Sequence, residues 1–141
     1  MLKIKKIEHA IRDCSFVLYF ENGHQMRVEV EGDCCSSSYF TEGALDELGS
    51  IKPGEILTGI EELESGIPEE KNGGTYTKYY FLKIQTDKQT LNLDWRNDSN
   101  GYYSGFVNFF YNGPESDLTQ EMKDNYRMRL IGPDGKIKKY D

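Results

Sequence analysis

Ser15-Phe16-Val17-Leu18-Tyr19-Phe20-Glu21-Asn22-Gly23-His24-Gln25-Met26-Arg27-Val28-Glu29-Val30-Glu31 reads as two strands around a turn. The first run is apolar throughout. In the second, Met26, Val28 and Val30 share one face and Arg27, Glu29 and Glu31 the other, the alternation of a sheet with one buried side. Asn22-Gly23 is the preferred dipeptide of a two-residue type I′ hairpin. With those two residues central, Tyr19 is expected to face Met26 and Val17 to face Val28. A strand over about Leu2 to His9 is expected before this hairpin.

The same alternation recurs along the chain. After the hairpin comes Gly32-Asp33-Cys34-Cys35-Ser36-Ser37-Ser38-Tyr39-Phe40, read as an architectural corner in which the cysteines pack. Thr41 is placed to cap a short helix through Ala44-Leu45-Asp46-Glu47-Leu48, with Gly49 at its C-terminal end. Pro53-Gly54 marks a turn, and Glu55 to Leu63 reads as a strand with Ile56, Thr58 and Ile60 on one side. Glu64 to Gly74 is acidic and lacks apolar periodicity, so a mobile loop is expected there. Thr77 to Thr86 and Thr90 to Arg96 alternate well and form a hairpin across Asp87-Lys88-Gln89. Tyr102 to Tyr111 is aromatic on both faces, which demands cover on both.

Beyond it, Pro114 opens a helix capped by Ser116 or Asp117, with Leu118 and Met122 four residues apart. Arg127 to Ile131, the turn Gly132-Pro133-Asp134-Gly135 and Lys136 to Tyr140 make an edge hairpin. The expected fold is mainly β, of α+β type: antiparallel sheets, sandwich- or barrel-like, with one or two short helices. It forms a single domain over 1–141, with its core in 2–111 and a C-terminal helix and hairpin in 114–141.

Charge restricts the partners. The formal charge of -7 on 141 residues opposes long-range attraction to DNA, RNA or an anionic membrane, leaving a small anion held by one or two arginines. No run approaches the roughly 20 apolar residues of a membrane span. Met1-Leu2-Lys3-Ile4-Lys5-Lys6 lacks the apolar segment of a secretory signal, so the expected location is cytoplasmic.

Catalytic and metal chemistry finds little support. Cys14, Cys34, Cys35, His9 and His24 form no C-x₂-C or H-x₃-H pair, so neither structural zinc nor any other metal is expected. Asn97-Asp98-Ser99-Asn100-Gly101 has the composition of a calcium loop, but with Gly101 at position six Val107 stands where a bidentate Glu is required. Neither His24, at the far end of its strand from the cysteines, nor His9 is placed by the sequence to activate a thiol. G-x-S-x-G, P-loop and G-x-G-x-x-G motifs do not occur. The carboxylate pairs Glu61-Glu62 and Glu69-Glu70 read as a solvated charge run. The expectation is a protein that is not an enzyme and carries no cofactor.

Binding chemistry remains, and it gathers at Asn97 to Gly105. Asn100 offers an amide, Gly101 a close backbone approach, and Tyr102 and Tyr103 rings and hydroxyls, with Arg96 and Trp95 at the adjoining strand end. Arginine, amide and rings together can hold a nucleotide through its phosphates, base edge and base face. The same residues also make an ordinary Asn-Gly turn flanked by core tyrosines, and the sequence leaves both readings open.

Taken in order, Gly32-Asp33-Cys34-Cys35-Ser36 and Ser99-Asn100-Gly101-Tyr102-Tyr103-Ser104-Gly105 resemble a family of small phage and prophage domains of undetermined function, over about Leu2 to Tyr111. In size, β character and the Asn-Gly-Tyr-Tyr loop the chain also resembles the phage Thoeris anti-defence sponges. That resemblance implies a non-catalytic homo-oligomer that sequesters a cyclic nucleotide signal, either a cyclic ADP-ribose isomer or a cyclic oligonucleotide. Its site would be formed by Asn100, Gly101, Tyr102, Tyr103, Arg96 and Trp95 and completed by a second subunit. Arg127 and Arg129 lie outside the matched part and are weaker candidates. The rival class is a protein-binding module or phage inhibitor acting on a host protein through the acidic Glu61 to Glu70 region or the Tyr/Phe-rich strand, and an enzyme ranks third.

Overall fold

The structure, a computed structural model, describes residues 1–9, 14–33, 35–101 and 103–138. The first hairpin is built from β2 (Ser15–Phe20) and β3 (Gln25–Gly32), but its register differs by one residue from the type I′ expectation. Leu18 faces Met26 and Phe16 faces Val28. The cause is the turn: Phe20 N–H donates to His24 O at 2.9 Å, which leaves Glu21, Asn22 and Gly23 as a three-residue loop with Gly23 at φ +88°. This register sets Phe16, Leu18 and Phe20 on the same buried side as Met26, Val28 and Val30, whereas a slip of one residue would turn one strand's apolar set outward. Gly23→Ala is expected to cost about 1 kcal/mol, since an alanine in the left-handed region is strained although nothing lies within 4 Å of the new methyl. Urea denaturation of wild type and variant checks it.

β1 (Leu2–His9) joins the two halves of the sheet. Its residues from Ile4 onward pair with β2, while Leu2 and Lys3 pair with β5 (Ile56–Glu64). β5 continues into β7 (Thr75–Thr86) and β8 (Thr90–Ser99), ending at β4 (Ser37–Phe40). On the other side β3 pairs with β9 (Gly105–Tyr111), which is followed by β10 (Met128–Ile131) and β11 (Ile137–Lys138). The result is an eleven-stranded, mostly antiparallel open sheet in which only β9 and β10, among the described pairings, run parallel. Phe16 of β2 and Phe40 of β4 stand far apart in strand order, yet their rings lie 5.4 Å apart. The open sheet therefore curls over a single core that includes Leu18, Val28, Leu82, Leu93, Trp95 and Phe109.

Two short helices complete the fold. α1 (Glu42–Leu48) is capped as expected, with Ala44 N–H donating to Thr41 Oγ1, and it buries Ala44 and Leu48. Gly49 ends it in right-handed backbone, φ -65°. α2 (Gln120–Asp124) is capped by Thr119, and Ser116 and Asp117 belong to a 3-10 turn (Glu115–Asp117) that precedes it. The expected cap came too early because Pro114 starts this turn, and the buried Leu118 separates it from α2.

Three further expectations are corrected. In β5 the ladder with β7 shifts between Leu57 and Gly59, so Leu57, Gly59 and Ile60 are buried and Thr58 is exposed. One extra residue in a strand reverses the facing beyond it. The acidic stretch contains β6 (Glu70–Asn72), which pairs with the start of β7 across Gly73-Gly74. Backbone pairing there needs no apolar periodicity, and all three β6 residues are exposed. The cysteine corner leads into β4 before the helix, and Cys35 is exposed; Cys34 lies outside the described residues, as does Tyr140 of the edge hairpin. Among the described residues no helix is long and apolar enough to cross a membrane.

Candidate functional site

β8 separates two of the residues that its sequence places side by side. Leu93, Trp95, Asn97 and Ser99 point inward and are buried, and Asp94, Arg96 and Asp98 point outward. Trp95 is 0 % exposed and stacks on Tyr80 with centroids 4.2 Å apart. Arg96 lies on the outer face over the Tyr79 ring at 5.0 Å, and its Nη2 donates to Asp94 Oδ2 at 3.1 Å. Desolvation and the bond to Asp98 raise the Tyr39 phenol above its usual range on this same outer face. Trp95 is therefore a core residue stacked under Tyr80, and Arg96 lies on the opposite face of β8.

The two motif loops meet. Asn97 Nδ2 donates to Ser36 Oγ at 3.0 Å and to Ser38 Oγ at 2.9 Å, while Asp33 N–H donates to Ser104 O at 3.3 Å. Gly32 pairs with Gly105, and glycine is needed at both. A Cβ at Gly32 would collide with Ser36, and one at Gly105 would come within 2.6 Å of Ser38 and of the Trp95 ring. This close approach turns the Asn97 to Gly105 segment onto the inward side of β7. Gly101, at φ +102°, lies against Tyr76, where a Cβ would approach the ring to 2.9 Å. Lys78 Nζ donates to Ser104 Oγ at 3.1 Å, and Gly105 N–H donates to the Tyr80 hydroxyl at 3.2 Å. Asn100 is exposed beside Gly101, Tyr103 is half-buried, and Tyr102 lies outside the described residues.

This arrangement bounds a cleft of about 430 Å³ between β5 and β9, lined among others by Glu62, Tyr80, Ser104, Phe106, Tyr126 and Arg127. Its size is in the range of small-ligand sites. Arg127 is its principal cation. The guanidinium carbon lies 4.3 Å from the Phe106 ring centroid and 5.0 Å from that of Tyr126, and Nε–H donates to the Tyr126 hydroxyl at 3.2 Å. Among the described residues its terminal amino groups make no hydrogen bond or ion pair. Burial raises the Glu62 carboxyl above the usual range, and the positive charge of Arg127 only partly opposes this. A planar cation fixed by two rings, beside a carboxylate and a hydroxyl, suits a ligand that carries both an anionic group and hydroxyl donors.

Of the residues singled out from sequence, Gly101 and Tyr103 lie in the loop that leads to this cleft, and the weaker candidate Arg127 is inside it. Arg129 lies outside the cleft, with Nη1 donating to Tyr126 O. Glu62, Lys78, Tyr80 and Phe106 were missed. For Glu62 the signal was present: it stands two residues after the apolar Ile60 and so shares its inward face.

The chain belongs to the family described as a domain of unknown function, DUF7448, whose model matches residues 1–109. No curated protein and no solved structure matches it. The matched part holds β1 to β8 and most of β9, whereas Tyr126 and Arg127 lie beyond it.

Proposed function

We propose that this protein binds and sequesters a cyclic nucleotide signal, a cyclic ADP-ribose isomer or a cyclic oligonucleotide, without turning it over, as the resemblance to the anti-defence sponges implies. The observation that carries the reading is Arg127, clamped by Phe106 and Tyr126 with its terminal donors turned to no described partner, inside a cleft of ligand size. The guanidinium fork meets a phosphate or diphosphate, Tyr80, which lines the cleft, offers a ring to a base, and Glu62 accepts from ribose hydroxyls. Asn100, Gly101 and Tyr103 belong to the loop that runs into Ser104 at the edge of the cleft.

Isothermal titration against cyclic ADP-ribose isomers and cyclic di- and trinucleotides tests it. One compound is expected to bind and to be recovered unchanged by mass spectrometry. Arg127→Ala is expected to weaken it about 10- to 100-fold, the value of a charge-assisted contact. No heat with any compound, unaltered affinity in the variant, or a chemically changed ligand overturns the reading.

A further inference from the structure

Tyr126 is 76 % exposed at the end of α2, and the surface on its two sides carries opposite charge. On one side a groove of about 280 Å³ runs between β5 and α2, with Glu61, Glu62 and Glu121 on its walls and Lys83 already paired with Glu61 at 3.7 Å. On the other side a groove of about 480 Å³ lies between α2 and the β10–β11 edge, lined by Lys123, Arg129 and Lys138 together with Ile137, itself 53 % exposed. No ion pair among the described residues neutralises Lys123, Arg129, Lys138 or Glu121. Tyr126 lines both grooves.

We propose that this surface is a two-fold dimer interface between copies of this chain, with Tyr126 at its centre. A two-fold axis beside Tyr126 lays the acidic groove of each copy on the basic groove of the other, so one patch is complementary to itself. This is the condition for a closed, isologous pair. A large exposed aromatic ringed by charged groups is the usual composition of an interface centre and rim. The occupant is a second copy, because a two-fold related copy presents the basic and the acidic groove in the order that complements this surface, whereas a wholly acidic or wholly basic partner would leave one groove facing like charge or solvent. Tyr126, Lys123, Arg129 and Lys138 lie outside residues 1–109, so the central tyrosine and the basic groove come from the C-terminal part, whereas Glu61 and Glu62 of the acidic groove lie within the matched residues.

Analytical ultracentrifugation without added nucleotide tests this independently of the ligand reading. Over roughly 1 to 200 µM the wild type is expected to reach twice the monomer mass, and raising salt from about 0.05 to 0.5 M is expected to shift it toward monomer. Lys123→Glu with Lys138→Glu, and separately Glu61→Lys with Glu121→Lys, are each expected to sediment as folded monomers. Mixed in equal amounts the two variants are expected to form a heterodimer, because both grooves are again complementary. A wild type that stays monomeric throughout, dimers unaffected by either reversal, or folded variants that do not pair on mixing overturns the proposal. Should a variant fail to fold by circular dichroism, the wild-type concentration and salt series decides.

Discussion

Trp95→Ala lowers the unfolding free energy by about 3 to 5 kcal/mol, the range for truncating a large buried aromatic. The reason is its position. Trp95 is fully buried, stacks on Tyr80 with a 12° angle between ring planes, and reaches Gly105 of the opposite half of the sheet. Removing it leaves a cavity between the halves that close backbone packing at Gly32 and Gly105 cannot collapse. A domain's whole stability is about 5 to 15 kcal/mol, so the loss is a large fraction of it and is expected to appear as a clear shift of the urea midpoint. Trp95→Phe separates packing from polarity: the indole Nε1 is buried with no hydrogen-bond partner among the described residues, so phenylalanine loses area and sheds that cost. Its expected penalty is about 1 to 2 kcal/mol. Urea denaturation measures both, and an alanine penalty below about 1 kcal/mol would contradict the role given to Trp95.

Glu55→Gln is the second large effect, expected near 2 to 3 kcal/mol at neutral pH, because a buried amide would turn its own donor toward the donors that hold the carboxylate. Glu55 is nearly fully buried. Lys52 N–H donates to Oε2 at 2.6 Å, Thr86 Oγ1 to Oε1 at 2.7 Å, and Gln89 Nε2 to both oxygens at 3.1 and 3.2 Å. Burial pushes the Glu55 pKa up, and these bonds with the charge of Lys88 outweigh it, so the net shift is downward. A carboxylate lowered in the folded state contributes stability that is complete above its unfolded pKa, about 4.3, and is lost as pH falls through its folded value. The stability gap between wild type and Glu55→Gln should thus be constant from pH 7 to about 5 and narrow below about 4. A gap independent of pH, measured by denaturation at each pH, contradicts the assignment.

The strands were legible where one face is buried and the other wet. β3 and β8 alternate in that way, and their facing in the structure is the one their residues dictate. Misreadings occurred where backbone geometry overrides the side-chain pattern. A three-residue turn replaced the two-residue one at Asn22-Gly23, a bulge at Thr58 shifted β5, and β6 formed from Glu70-Lys71-Asn72 through main-chain pairing alone. The candidate site was legible as a region but not as a constellation. Trp95 and Arg96 are neighbours in sequence, and the period of a strand places them on opposite faces. The cation that does enter the cleft, Arg127, comes from a segment more than twenty residues beyond the Asn97 to Gly105 loop, so no local pattern links them. Phe106 and Phe110 explain the two-sided aromatic strand: their outward rings are covered by the guanidinium groups of Arg127 and Arg27, the latter 4.4 Å from the Phe110 ring.

The pairing of β3 with β9 also governs how the chain reaches this state. Gly32 meets Gly105 and Met26 meets Tyr111, so most of the polypeptide must be synthesised before β3 gains its second neighbour. Until then the β2–β3 hairpin carries an unpaired edge and an uncovered apolar face. Closing so long a loop is entropically costly and is rewarded only when the whole ladder zips, which places such topologies among slow folders, with times of about milliseconds to seconds. The acidic side chains Glu29 and Glu31 on that waiting edge, with Arg27, make it a poor template for a neighbouring nascent chain during the delay.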